Sequence, residues 1–390
     1  MTLPFTKDEY ARRARAVQKR MAEAGLDAIF ITDPSNINWL TGYDAWSFYV
    51  PQALLLAADG DPVWMGREMD AGAARFTTYL SEDQIVPVPE GYVQRPDRHS
   101  GDVMAAEMAA RGLGSSKIGY EADGYYLSPR WLERLRAGLP GADFVDADLL
   151  VNWARLVKSE AEIEVMQTAA DIAGATMRAA MDLTRAGARQ SDIMAEAVRT
   201  EIAGVDGKCG HLTAIYPLIL AGKKATTAHP MWDDSLIEAD QTIAFELGGC
   251  RHRYNAGLAR TVHVGTPSQK LLDTSKAVEE GMEAVLSMLR AGVTCEAVHA
   301  AWQGVLDRYG LEKKSRIGYA IGVGYTPDWG ERTVSLRPGE MFELPENAVL
   351  HVMLGMWLDD WGMELSETVQ VQARGARCLT RFDRGVHVVA

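Results

Sequence analysis

The sequence predicts a two-domain α/β protein, with a small α/β domain over residues 1–154 and a larger α+β domain over 155–390. Three observations carry this. Short apolar strands alternate with amphipathic helical stretches through the first part of the chain, the pattern of a small α/β domain. A second helical series opens at Ser159-Glu-Ala-Glu162, which has capping-box spacing. A glycine turn followed by a helical pattern then occurs twice: Arg185-Ala-Gly187 with Ile193-Met-Ala-Glu-Ala197, and Arg290-Ala-Gly292 with Val298-His-Ala-Ala301. Two α-plus-β halves related in this way form an internal pseudo-twofold repeat with a cleft between them, a common place for a ligand.

The elements follow in order. Thr6-Lys-Asp-Glu9 caps a first helix whose buried face is Tyr10, Ala14, Val17 and Met21, and Gly25 suits its C-terminal cap. Ala28 to Thr32 reads as a buried strand, and Ala53–Ala57 with Pro62–Met65 as a hairpin around Asp59-Gly60. Asp102 to Arg111 is helical up to Gly112, Lys117 to Tyr120 is a strand, and Pro129 to Ala137 a helix. In the second domain Ile163, Met166, Ala170 and Ala173 line one side of a long helix.

Composition narrows the function. A chain of 390 residues that is 47% apolar and 24% charged has enough material for two packed cores. Its net charge of -13 argues against nucleic acid, which needs an excess of Lys and Arg. No apolar run approaches the roughly 18 residues of a membrane span, and Lys7-Asp-Glu-Tyr-Ala-Arg-Arg is charged where a signal peptide is apolar. Cys209, Cys250, Cys295 and Cys378 are isolated in sequence and read as reduced thiols. The expectation is a cytoplasmic protein with no membrane or nucleic-acid partner.

The stretch Ala225-Thr-Thr-Ala-His229-Pro-Met-Trp-Asp-Asp234, then Phe245-Glu246-Leu-Gly-Gly249, then Tyr254 through Thr261, has the layout of a dinuclear-metal hydrolase. With Arg155-Leu-Val-Lys158-Ser159 and Gly318-Tyr319-Ala-Ile-Gly322, it resembles the pita-bread family that includes methionine aminopeptidase, prolidase and creatinase. The resemblance covers nearly the whole chain and implies a creatinase-type N-terminal domain followed by a pita-bread catalytic domain. It also implies where two metals would be held, and there the chain departs from the family. The two aspartate positions fall at Glu246 and Gly257, the histidine at Tyr319, the first glutamate at Met353, and the last at Ser366 or Glu367. A pair of divalent ions needs several oxygen and imidazole ligands converging within a few ångströms. The reading is that no metal or other cofactor is bound.

Creatinase is the metal-free precedent, and its key histidine matches His229; its creatine-binding glutamate falls at Ala259. Within the family the chain most resembles the members that open the cyclic amidine ring of ectoine to N-acetyl-diaminobutyrate. That match runs through Pro34 to Tyr49, Gly324 to Glu331, and Glu364-Leu-Ser-Glu367. It implies ectoine or hydroxyectoine as the small-molecule substrate, and a homodimer whose N-terminal aromatic segment borders the partner's site.

The chemistry of such a substrate is consistent with these residues. Ectoine is a zwitterion with a delocalised amidinium and a carboxylate. Glu246 supplies the opposing carboxylate, either holding the amidinium or attacking its carbon. His229 shuttles the proton, and Glu367 is a third catalytic candidate. Trp39, Tyr43, Trp46 and Trp329 supply aromatic faces, which attract delocalised cations. Arg332 is the candidate for the substrate carboxylate, and Tyr319, Tyr325, Asp328 and Glu364 complete the expected substrate-binding set. The rival expectations are another small amidine or guanidine, a metal-dependent prolyl peptidase, and a catalytically inactive module that binds peptides.

Overall fold

The computed structural model describes residues 3–389 and divides into two compact units, one up to Arg155 and one from Leu156. The helix α1 (Lys7–Ala24) forms as its sequence dictates. The Thr6 side chain accepts from the Glu9 amide, Gly25 closes the helix at φ 64, and Tyr10, Ala14, Val17 and Met21 are buried. The strand β1 (Ala28–Ile31) and the hairpin β2 (Ala53–Ala57) and β3 (Val63–Arg67) follow. Pro34–Thr41, an aromatic segment with no helical assignment from sequence, is the helix α2: Asp33 caps it by accepting from Ser35, and Pro34 takes the first turn, where its missing N–H costs nothing. The unit continues through α3 (Ala71–Thr77), β4 (Ile85–Val88), α4 (Ser100–Ala110), β5 (Lys117–Tyr120), α5 (Pro129–Gly138), β6 (Asp143–Asp146) and α6 (Leu150–Ala154). Among the described residues its sheet has six strands in the order β4-β3-β2-β1-β5-β6.

The second unit opens with α7 (Glu160–Leu183), where Ser159 and Glu162 form a reciprocal capping box, and α8 (Gln190–Ala203). After β7 (Leu218–Ala221) comes the long hairpin of β8 (Thr242–Arg251) and β9 (Tyr254–Val264). The second helix pair, α9 (Gln269–Met288) and α10 (Cys295–Tyr309), precedes β10 (Gly318–Tyr325), β11 (Asp328–Ser335) and β12 (Val349–Met353). The short hairpin β13 (Met356–Trp357) and β14 (Gly362–Met363) leads to β15 (Ser366–Gln372), β16 (Gly375–Cys378) and β17 (Val386–Val389). Among the described residues the main sheet has nine strands, with the path β16-β15-β12-β10-β9-β8-β7 and with β11 and β17 added on β10 and β9.

The internal repeat is visible at matching positions. Gly187 and Gly292 adopt φ 81 and φ 80, left-handed values that suit glycine. Their amides donate to Ile237 and Leu344 respectively, and Arg189 and Thr294 form isolated bridges to Leu236 and Glu343. Each half is therefore a helix pair, a glycine turn pinned to a later segment, and strands that enter the shared sheet.

Strand alternation separates the two faces of that sheet. Phe245, Leu247, Leu258 and Val262 join Ala173, Met177 and Ile193 in the core beneath the helices. Ala244 instead packs with Leu218, Leu220 and Ala225 on the other side. Glu246 alternates with Phe245 and Leu247, so it shares that second face.

Candidate functional site

The β8–β9 hairpin pairs Glu246 with Ala259 and Gly248 with Gly257, and β10, β12 and β15 pair Tyr319 with His351 and Met353 with Ser366. Directly paired residues share a face. His351 lies against Gly257, and Ser366 Oγ accepts from the Ala259 amide at 2.7 Å. Glu246, Gly257, Tyr319, Met353 and Ser366 thus gather on one face, opposite the helices.

Glu364 joins Glu246 there. Its backbone clips to Thr261 through two hydrogen bonds, Glu364 N–H to Thr261 Oγ1 at 2.9 Å and Thr261 Oγ1 to Glu364 O at 3.0 Å. Thr261 pairs with Ala244, two residues from Glu246. The Trp357 indole donates to Glu364 Oε1 at 2.8 Å, while the buried Oε2 has no partner among the described residues. Glu246, 7% exposed, also has no hydrogen-bond partner among them. Burial raises Glu364 to about 7 and, with the charge of Glu364, raises Glu246 well above the usual carboxylate range. Two buried carboxyl groups side by side, with unmet hydrogen-bonding capacity, favour a cation between them.

The walls are aromatic and polar. The Trp329 indole donates to Tyr319 Oη at 2.9 Å, and both rings meet His351 edge-on with centroids 5.5 Å apart. His351 Nδ1 lies 3.2 Å from Tyr319 Oη and Nε2 lies 2.7 Å from Ser366 Oγ. Burial, with a smaller effect from Arg316, pushes His351 down to about 3, so the ring is neutral. Lys313 is also buried. Its ammonium sits 4.2 Å from the Trp357 ring centre and donates to Gly355 O and Ser315 Oγ, both at 2.7 Å. Burial lowers Lys313 to about 8.

Of the residues expected from sequence, the structure brings together Glu246, Glu364, Tyr319 and Trp329. It separates others from them. Glu367 points to the opposite face, because it follows Ser366 in the strand. There its carboxylate takes Arg260 at 2.8 Å, Arg384 at 2.9 Å and the Thr380 hydroxyl, beside a surface cavity of about 1020 Å³ bordered by Glu279, Glu283 and Arg308. The structure thus gives Glu367 ion-pair partners on the face away from Glu246.

Trp39 and Tyr43 belong to the core of the first unit. Arg13, fully buried, donates to Trp39 O at 2.9 Å and stacks 5.3 Å from its ring; the Tyr43 hydroxyl bonds Ser47 at 2.7 Å and its ring packs on Trp64. Trp46 is 61% exposed. His229 is exposed on the loop that leaves the turn Gly222–Thr226, with no hydrogen-bond or ion-pair partner among the described residues. That turn packs on the Glu246 face through Ala225, so the histidine loop starts at the site, although among the described residues no hydrogen bond or ion pair joins His229 to Glu246.

Tyr325 and Asp328 pair at the end of the β10–β11 hairpin, where Tyr325 lies under Arg253 and Asp328 accepts from Gly330. Arg332 is half-buried at φ 58 in the irregular stretch of β11. Its neighbour Glu331 anchors the strand through a buried ion pair with Lys158, at 2.6 Å.

Sequence reasoning assigned no role to His351, Trp357 or Lys313. A single polar residue inside the apolar run Val349 to Leu354 was the available signal for His351. Lys313, within Glu312-Lys-Lys-Ser315, reads as a solvated charge run, and only the tertiary structure buries it.

Residues 164–373 match the model of metallopeptidase family M24, and residues 13–157 match the creatinase/prolidase N-terminal domain. An ectoine hydrolase of Halomonas elongata is 39% identical over 395 residues, covering 100% of this chain and 99% of that protein. An uncharacterized hydrolase/peptidase of Sinorhizobium fredii, y4tM, is 39% identical, covering 98% of both chains. The chain belongs to family M24. Among solved structures, a prolidase from Thermococcus sibiricus superposes with TM-score 0.85 at 17% identity, covering 97% of this chain and 99% of that one. An X-Pro aminopeptidase from Thermotoga maritima superposes with TM-score 0.81 at 21% identity, covering 96% and 99%. These two show the fold.

The M24 name implies a metal centre, and the donor set here does not fit one. The five gathered positions offer one carboxylate, a phenol, a hydroxyl, a thioether and a glycine. Among the described residues there is no group of three or more His, Cys, Asp or Glu side chains that could hold a metal ion. His351, the nearest imidazole, has both nitrogens engaged with hydroxyl groups.

Proposed function

We propose that this M24 protein hydrolyses the cyclic amidine of ectoine, without a metal, as a cytoplasmic homodimer. The observation that carries the reading is the Glu246–Glu364 pair: two buried carboxyl groups with unmet capacity, on the face where metallopeptidases of this family hold their ions. An amidinium supplies positive charge delocalised over two N–H groups, which suits two carboxylates better than a point charge does. Trp329, Trp357 and Tyr319 supply the aromatic surroundings. The ectoine hydrolase that is 39% identical over the whole chain supports the substrate. Hydroxyectoine carries the same amidinium and is the second candidate.

In the proposed reaction water adds its oxygen to the amidine carbon and one ring C–N bond breaks. Both water hydrogens end on the departing nitrogen, which leaves as an ammonium group, and the product is the ring-opened N-acetyl-diaminobutyrate. The amidinium carbon is already electrophilic, which lessens the need for a Lewis acid. Glu246 and Glu364 orient the cation, and His229 moves the proton once its loop closes on the substrate. The first unit exposes the aromatic residues Trp46, Tyr49, Phe76 and Tyr125, the residue type enriched at the buried centre of protein interfaces.

The test is to incubate chelator-treated protein with ectoine and follow the product by NMR. Ring opening at an undiminished rate is expected. No ring opening would overturn the substrate, and activity lost on chelation and restored by added metal would overturn metal independence.

A further inference from the structure

The cluster behind Glu246 contains one hydrogen more than its internal hydrogen bonds use. Trp329 Nε1 donates to Tyr319 Oη, and the Ala259 amide donates to Ser366 Oγ. His351 links the two hydroxyl groups, Nδ1 to Tyr319 and Nε2 to Ser366. The hydrogens available are the indole N–H, the amide N–H, two O–H groups and the single N–H of a neutral imidazole, five for four hydrogen bonds. One hydroxyl hydrogen is left over.

Burial decides which one. Ser366 is fully buried, and among the described residues the only acceptor its hydroxyl meets is His351 Nε2. A buried hydroxyl is rarely left without an acceptor. Ser366 therefore donates to Nε2, and the imidazole hydrogen sits on Nδ1 and donates to Tyr319. The Tyr319 oxygen then accepts from both Trp329 and His351, and its own hydrogen is the free one. Tyr319 is also the only partly buried residue of the pair, whereas Ser366 is fully buried, and it lies on the face of Glu246, whose charge acts on it.

The imidazole has a fixed seat. A Cβ at Gly257 would lie 2.8 Å from His351 Cε1 and Nε2, so the ring fills the space that any side chain at that position would need. Gly257 is also where the metallopeptidase pattern places its second aspartate.

We propose that His351 is a positioning residue that, as its Nδ1–H tautomer, turns the Tyr319 hydroxyl outward as a hydrogen-bond donor to the oxygen once it has added to the substrate carbon. The target of the donor rests on the ectoine reading; the tautomer does not. In the tetrahedral adduct the added oxygen turns negative when its proton passes to the departing nitrogen, and a donor oriented at that oxygen typically contributes about 10²–10³-fold to turnover.

The experiment has two arms. In ¹⁵N-histidine-labelled protein, NMR should find His351 neutral and Nδ1-protonated from about pH 5 to about pH 9, a range in which an ordinary histidine titrates. Ser366→Ala, which removes the Nε2 donor, should move that signal, and His351→Asn should delete it. An Nε2-protonated ring, or one that titrates in this range, overturns the proposal without any substrate being needed. In the second arm Tyr319→Phe keeps the ring contacts and removes the hydrogen. A fall in kcat on ectoine of about 10²-fold with little change in KM is expected, and unchanged kcat overturns the role of the free hydroxyl. Should wild-type protein not turn over ectoine, the functional reading fails, and the tautomer arm still decides the position of the proton.

Discussion

Glu246 and Glu367 are both buried carboxylates on neighbouring parts of one sheet, yet their surroundings are opposite. Glu367, on the helix side, is met by two guanidinium groups and a hydroxyl. Glu246, on the other side, has no hydrogen-bond partner among the described residues and faces a second carboxyl group, Glu364. Burial alone therefore does not mark a site. Unmet demand does, because a buried charge without a partner is costly and persists only where something else compensates it.

The largest expected effect separates these two residues. Glu246→Gln keeps the size of the side chain and removes its charge, so ectoine affinity should weaken by several kcal/mol and turnover should nearly vanish; calorimetric titration and rate assays read both. Lost turnover with unchanged affinity would make Glu246 the nucleophile, and no change in either would remove it from the site. Glu367→Gln should instead leave affinity and the turnover of folded protein almost unaltered. It strands Arg260 in the interior, and a stability loss of about 3–5 kcal/mol in denaturant titration is expected.

A third variant sharpens the contrast between buried and exposed groups. His229 is exposed and unengaged among the described residues, so His229→Ala should not alter stability, whereas turnover should fall at least about 10²-fold. Near-normal turnover would assign the proton transfer to another group.

The smallest effect is in pH. Glu364 has a folded value of about 7 against an ordinary 4.5. A raised carboxyl pKa gives stability that is complete below the ordinary value and is lost as pH rises through the folded one. The free protein should therefore weaken between these limits, and Glu364→Gln should flatten that slope in unfolding experiments. Ectoine binding runs the other way. A cation prefers the ionised pair, so affinity should rise as pH passes about 7; affinity independent of pH would mean that the pair does not meet the cation.

The sequence by itself determined the capped helices that open at Thr6 and Ser159, the two halves of the repeat and the family resemblance, but not the helix Pro34–Thr41. Capping, periodicity and glycine turns depend on residues close along the chain, so Thr6, Ser159, Gly187 and Gly292 were readable. It also marked five altered ligand positions, but left Ser366 and Glu367 as alternatives for the last. Tertiary structure resolved that pair, because one residue of shift in a strand moves a side chain to the other face. It also placed Trp39 and Tyr43 in the core of the first unit, where their aromatic character serves packing. His351, Trp357 and Lys313 enter the site only through pairings between distant segments: Tyr319 with His351 across two strands, Trp357 with Glu364 around a hairpin, and Lys313 with Gly355. Nothing in the local spacing of those residues encodes such contacts. Their meaning depends on which face and which neighbour the folded sheet gives them.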